Sequence, residues 1–198
     1  MTVVGLIAEY NPLHNGHLYQ INKIKEELNP DHIILILGNN FTQRGEVSIL
    51  NKYEKTKIAL ELGISLVIEL PTIFTCSSAE HFAYASVKLL NSLNVVTHLC
   101  FGAETDKIDD LEAVAKVLHK EDKEYKSLLK DELEKGISYP KARNNAILRY
   151  FKKSMSDEKA NSILNGSNNI LGIEYIKAIL KLKSKVYPIL WHKSEIRI

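Results

Sequence analysis

The chain has little cysteine, tryptophan or proline: two, one and five in 198 residues. Two cysteines, Cys76 and Cys100, cannot build a framework of disulfides. That excludes the small bridge-dependent secreted scaffolds and makes a reducing cytoplasm the expected compartment. No apolar run approaches the roughly 20 residues of a membrane helix. The first apolar run, "TVVGLIAE", has no basic segment ahead of it, so no secretory leader is expected. Neither sign of charge dominates, and the net charge is only +2. A nucleic-acid surface would therefore have to be a local patch. Internal repeats and low-complexity tracts are absent too. What is there, 45% hydrophobic and 25% charged residues, is globular composition with enough chain for one good core.

The first two-thirds alternate regularly. "TVVGLIAE", "HIILILG", "SLVIELP" and "VVTHLCFG" are short β-branched apolar runs and read as strands. Between them lie amphipathic helices. "GHLYQINKIKEEL" carries Leu18, Ile21, Ile24 and Leu28 at helical spacing. "NKYEKTKIALELG" has Asn51 as N-cap, Glu54 at capping-box spacing and Gly63 as its stop. "SSAEHFAYASVKLLNSL" opens on a Ser77/Glu80 capping box. Strands that are apolar throughout are buried on both faces. The pattern predicts an α/β fold, a Rossmann-like three-layer α/β/α sandwich on a parallel sheet. From about 108 to 156 the sequence turns charged and helical, including the basic helix "YPKARNNAILRYFKK", and reads as a helical insertion within a single 1–198 domain. "NNILGIEYIKAILKLK" and "KVYPILW" then return to helix and strand.

Right-handed crossovers put the C-terminal ends of the strands on one edge, where open α/β sheets bind ligands. The first loop there is "AEYNPLHNGH", with His14 and His17 at the start of the first helix. A helix N-terminus carries unpaired N–H groups and partial positive charge, and binds phosphate. Gly16 leaves room for a ligand against the backbone. Two imidazoles on that turn can donate to phosphate oxygens and stabilise charge on an α-phosphate under attack. A zinc-protease helix needs Glu between histidines four apart, and no Glu lies here. Cys76, His81 and Cys100 show no ligand-like pairing, so no metal site is expected. The plainer alternative is a turn whose histidines only cap the helix.

This His-x-Gly-His after the first strand resembles the nucleotidylyltransferase superfamily. "GLIAEYNPLHNGHLYQI", "GNNFTQRGE", "NKYEKTKIALELGISLVIELP", "FGAET" and "SNNILGIEYIKAIL" together resemble the bacterial tRNA(Met) cytidine acetate ligase family. The resemblance implies attack of acetate on the ATP α-phosphate, releasing pyrophosphate. Acetyl transfer to N4 of the wobble cytidine of elongator tRNA(Met) follows. ATP is the implied co-substrate, with Mg²⁺ accompanying it. The implied ATP contacts are Ile7, Ala8, Glu9, Tyr10, Asn11, Pro12, Leu13, His14, Asn15, Gly16, His17, Leu18, Tyr19, Gln20, Gly102 and Asn168. His14 and His17 are the implied catalytic pair. The family's late arginine falls on Lys193, a point charge rather than a planar fork, with Arg197 as its substitute. The family also implies further helical sequence beyond residue 198, the part that helps hold tRNA.

Two rival functions share these features. One is an adenylyltransferase acting on a small phosphorylated metabolite, the other a non-catalytic ATP- or RNA-binding module. Arg44, beside Gly45 on the ligand edge, is a candidate for substrate or phosphate. Lys52 is a weaker one, because it opens a helix that Asn51 already caps. Gly102 ends a strand where a nucleobase or ribose would approach. Asn168 reads both as N-cap and as phosphate contact. Glu69 and Glu104 sit at strand ends without a decided role. His81 and His98 read as packing or surface residues. Lys141, Arg143, Arg149, Lys152 and Lys153, interleaved with Tyr139, Tyr150 and Phe151, form either a solvated face or an RNA contact.

Overall fold

A computed structural model describes residues 1–152 and 155–192. Lys193, Arg197 and Lys153 lie outside the described residues. Five parallel strands, β1 (Val3–Ala8), β2 (His32–Leu37), β3 (Leu66–Glu69), β4 (His98–Ala103) and β5 (Tyr187–His192), form one sheet. Their order is β3-β2-β1-β4-β5. The chain winds from β1 to one edge, returns, and winds to the other. The switch point therefore lies between β1 and β4, and the crevice at their C-terminal ends is the expected ligand site.

Strand residues alternate between two cores. Leu6, Leu35 and Cys100 face Ile21 and Ile24 of α1 (Asn15–Leu28) and Ala59 of α2 (Lys52–Glu61). Ile34, Ile36, Leu99 and Phe101 face the other side. There they meet Phe82 and Leu90, which belong to α4 (Ala79–Ser92) beyond a single helical turn, α3 (Thr72–Thr75). This is the three-layer sandwich that the alternation of runs predicts. Each buried Leu, Ile or Phe contributes about 1.5–3 kcal/mol of transfer free energy. The edge strand β3 departs from the pattern: Leu66 and Glu69 are exposed at the edge of the sheet, where β3 pairs with β2 alone among the described strands.

The stretch after β4 forms α5 (Ile108–Lys120), α6 (Lys123–Leu133), α7 (Tyr139–Phe151) and α8 (Asp157–Asn165). Glu121, at φ 43°, ends α5 in the left-handed region, and Asp122 caps α6. A run that reads as one helix is thus two. Helix α8 was not anticipated. It is short, opened by Ser156, and buries Ala160, Ile163 and Leu164. Leu111, Tyr125, Ile147 and Ile163, one from each of these helices, belong to the same core as Phe101.

Two caps differ from expectation. Ser78, not Ser77, caps α4, and Glu80 pairs with Lys177 at 2.9 Å instead of turning back on the cap. Helix α9 (Ser167–Lys181) is capped by Gly166, so Asn168 is its second residue and not its N-cap. Gly172 lets α9 close on β4: a Cβ there would lie 2.7 Å from the Phe101 ring. That approach brings the start of α9 to the end of β4.

Candidate active site

The crevice at the switch point is a cleft of about 370 Å³. Of residues 7–20, all line it except Leu13, Asn15 and Leu18. Leu13 packs against the α1-side core, and Asn15 is exposed. Gly102 and Asn168 line the cleft as expected.

The loop between β1 and α1 is shaped by its own backbone. Tyr10 adopts φ 48° and the Asn11–Pro12 peptide is cis. A left-handed conformation at a bulky residue costs about 1 kcal/mol or more. Burial of the Tyr10 ring, 2% exposed, offsets it. The same burial pushes the Tyr10 hydroxyl well above the usual tyrosine range, so it stays neutral. Its ring meets His17 edge-on at 4.8 Å.

The two histidines form a reciprocal capping box. His14 Nδ1 accepts from the backbone N–H of Gly16 at 3.0 Å, and His17 Nδ1 accepts from the N–H of His14 at 3.3 Å. A neutral imidazole whose Nδ1 accepts must carry its proton on Nε2. Both rings therefore present an Nε2–H. The rings stack with centroids 3.9 Å apart. The helix N–H groups polarise them, so the positive end of α1 is relayed through imidazole donors.

The end of α9 works differently. The Glu104 carboxylate accepts from the N–H of Asn169 at 2.8 Å, the N–H of Asn168 at 3.2 Å and Asn168 Nδ2 at 2.8 Å. In return Asn169 Oδ1 accepts from the N–H groups of Glu104 and Thr105. Burial opposes ionisation of Glu104, but these hydrogen bonds outweigh it and hold its pKa below the usual carboxylate range. The N–H groups of Asn168 and Asn169 are thus occupied. Asn168 can meet a ligand only by its side chain, not through the exposed helix N-terminus that an N-cap reading implied.

Arg44 and Lys52 are not in the cleft. Arg44 is exposed on the loop, and its neighbour Gln43 lines the cavity instead. Lys52 Nζ bonds Glu69 at 2.7 Å on the edge beside β3. The sequence reading missed Gln43, Phe82, Phe101, Leu171, Tyr175 and Trp191, which all line the cleft. One signal was available. Asn168, Leu171 and Tyr175 recur at helical spacing, three and four apart, and share a face of α9. Among the described residues no cluster of three His, Cys, Asp or Glu side chains could hold a metal ion. Nor is any described helix long and apolar enough to cross a membrane.

Comparison with known proteins agrees with this fold. The chain is 50% identical over 188 residues to the tRNA(Met) cytidine acetate ligase of Clostridium novyi, covering 95% of this chain and 46% of that protein. It is 45% identical to the one of Acetivibrio thermocellus, covering 96% and 45%. The chain spans about half the length of the curated relatives it matches. The crystal structure of Thermotoga maritima TmcAL bound with alpha-thio ATP superposes with a TM-score of 0.93 at 40% identity, over 97% of this chain and 46% of that one. A family model for the HIGH nucleotidyl transferases matches residues 1–194. With a paired-histidine cap at the switch point of a parallel sheet and a match running nearly end to end, the chain belongs to the HIGH nucleotidyl transferase family.

Proposed function

We propose that this chain activates acetate with ATP, for acetylation of N4 of the wobble cytidine of elongator tRNA(Met). The observation that supports the reading is the reciprocal cap beside the cleft: backbone N–H groups donate to Nδ1 of both His14 and His17, which sets the proton of each neutral imidazole on Nε2, the atom that would donate to the α-phosphate. An acetate oxygen attacks the α-phosphorus, and the bond to the β,γ-phosphates breaks. Acetyl-adenylate and pyrophosphate result. Negative charge builds on the α-phosphate oxygens in the transition state, and fixed N–H donors stabilise it without reorganising. The cytidine N4 amine then attacks the acetyl carbon, loses a proton, and AMP leaves. Gly102 supports the nucleotide side of the reading: among the described residues a Cβ there would meet only the Trp191 carbonyl, at 3.9 Å, which leaves room for a ligand on that side.

The relatives named for this reaction support the choice of acetate and tRNA(Met). So does the TmcAL neighbour with its ATP analogue. Mg²⁺ typically binds phosphate oxygens with one or two carboxylates and several waters. Among the described residues lining the cleft Glu9 is the only carboxylate, so the ion fits as one carried by the triphosphate. On this reading the activity belongs to the cytoplasm.

The test is exchange of labelled pyrophosphate into ATP across a panel of carboxylates and metabolite phosphates. Acetate-dependent exchange is expected. Exchange driven by a phosphate ester would identify an adenylyltransferase instead, and nucleotide binding without exchange a binding module.

A further inference from the structure

We propose that Lys55 is a positioning residue for the cleft, its ammonium bolting the ends of β1 and β2 to the loop that carries Gln43. Lys55 lies on α2, outside the cleft, and is 2% exposed. Its Nζ donates to the carbonyls of Glu9 at 2.9 Å, Gly38 at 3.0 Å and Asn39 at 2.6 Å, and to Ser48 Oγ at 3.1 Å. Four acceptors surround three protons. Among the described residues it makes no ion pair. A charge buried on dipoles alone is costly, and a well-packed apolar side chain would stabilise the fold at least as well. What an apolar side chain cannot do is hold carbonyls from two strand ends and a loop at fixed separations.

The groups it holds lead into the cleft. Gly38 and Asn39 close β2, and Glu9 follows β1. The Glu9 carboxylate in turn accepts from the N–H of Gln43. Ser48, accepting from Lys55, donates to Asn11 Oδ1 at 3.1 Å, and the N–H of Ile49 donates to the same oxygen at 2.7 Å. Asn11 belongs to the turn that delivers His14. Lys55 thus reaches Glu9, Gln43 and Asn11 through at most one intermediary. Among the described residues it has no such path to Gly102, Asn168 or Trp191. Its loss should misplace the β1–β2 side of the cleft and leave the β4–β5 side intact. Burial lowers the pKa of Lys55, against the pull of the Glu9 carboxylate.

Lys55→Met tests this, and its rate arm rests on the acetate reading above. The expected variant melts cooperatively and loses far less ATP affinity, measured by calorimetry, than rate, because the β4–β5 side of the cleft stays intact. Its kcat/KM for acetate in pyrophosphate exchange falls about 100-fold, the scale of an ångström-level misplacement. The ring-nitrogen NMR signals of His14 move, while those of exposed His119 do not. Unchanged turnover in the folded variant would overturn the proposal. So would equal losses of ATP affinity and rate with unmoved His14 signals, the mark of a purely structural lysine. If Lys55→Met does not fold, Ser48→Ala cuts only the link to Asn11. It should show a smaller loss in the same kcat/KM and a smaller shift at His14, and neither change would again overturn the proposal. If the wild-type chain does not activate acetate, the function reading fails. The His14 ring signals and ATP affinity then decide the role of Lys55 alone.

Discussion

His14 and His17 cap one helix for each other, each ring nitrogen Nδ1 taking a backbone proton while the rings stack 3.9 Å apart. Capping and catalysis are therefore not alternatives here. The cap fixes the tautomer, and the tautomer supplies the donor. A capping serine or asparagine would satisfy the same N–H groups, but would present no second N–H across a rigid ring.

The cap and the proposed donor role of one residue can therefore be separated. His14→Asn keeps a good N-cap, so the melting temperature should hold. Its rate of adenylate formation should still fall by two or more orders of magnitude, roughly the effect of deleting one oxyanion-type donor. His17→Ala should lose rate similarly, with ATP affinity changing far less, because the donated bond strengthens in the transition state. Single-turnover pyrophosphate release and calorimetric ATP titration make the comparison. Equal losses of affinity and rate in both variants would reduce the pair to a binding role.

Gly102→Val should remove ATP binding from a folded protein. The first added carbon has space, since among the described residues its only neighbour is the Trp191 carbonyl at 3.9 Å. The side chain then projects into the cleft. Calorimetry should show lost affinity alongside a melting temperature near wild type. Retained affinity in a folded variant would take Gly102 out of the site.

The sheet was legible because its strands are apolar and its helices amphipathic, and burial enforces both patterns. The His14–Gly16–His17 turn was legible because its chemistry is local. What was hidden is what tertiary packing assembles. Phe82 and Phe101 look like core residues and are core residues; only the crevice between β1 and β4 makes them walls. Asn168 looked like a cap because it stands near a helix start, but Glu104, more than sixty residues earlier, holds that end. Lys55 looked like one of many helix lysines, since nothing local marks a side chain that will be 2% exposed. Arg44 looked like a cleft residue from its loop alone, and the turn at Gly45, φ 80°, leaves it exposed while Gln43 faces inward.

Glu104→Gln should loosen the junction of β4 and α9 in a pH-dependent way. The folded pKa is lowered, so the carboxylate contributes stability fully above its unfolded value, about 4.3. That contribution disappears as pH falls through the folded value. At neutral pH the variant should lose about 0.5–1 kcal/mol, the worth of an anion at a helix N-terminus. The difference from wild type in thermal melts should stay constant down to about pH 5 and close below about pH 4. A constant difference down to pH 2 or so would show that the ionised carboxylate is not what holds Asn168 and Asn169.

The basic helix α7 should prove structural rather than RNA-facing. Arg143 bonds buried Glu174 at 2.6 Å. Arg149 reaches Glu132 at 3.0 Å and Asp131 at 3.1 Å, and Tyr150 donates to Asp122 at 2.6 Å. These cations already have carboxylate partners from α6 and α9, so a phosphate would have to displace an intramolecular carboxylate. Lys135, Asn145 and Arg149 together hold the Glu132 carboxyl down at about 2, which keeps that side of the network charged at any working pH. Among the described residues Arg143→Ala leaves buried Glu174 with only Lys177, 3.5 Å away, as an ion-pair partner. It should cost about 3 kcal/mol, the lower end for breaking a buried pair, because Arg143 is partly exposed. Arg149→Ala should also lower the melting temperature. Neither should change the slope of RNA affinity against salt, which counts the phosphates neutralised. Thermal melts and filter binding to tRNA across a salt series make the comparison. A slope reduced by about one counterion, with the melting temperature unchanged, would instead make α7 an RNA surface.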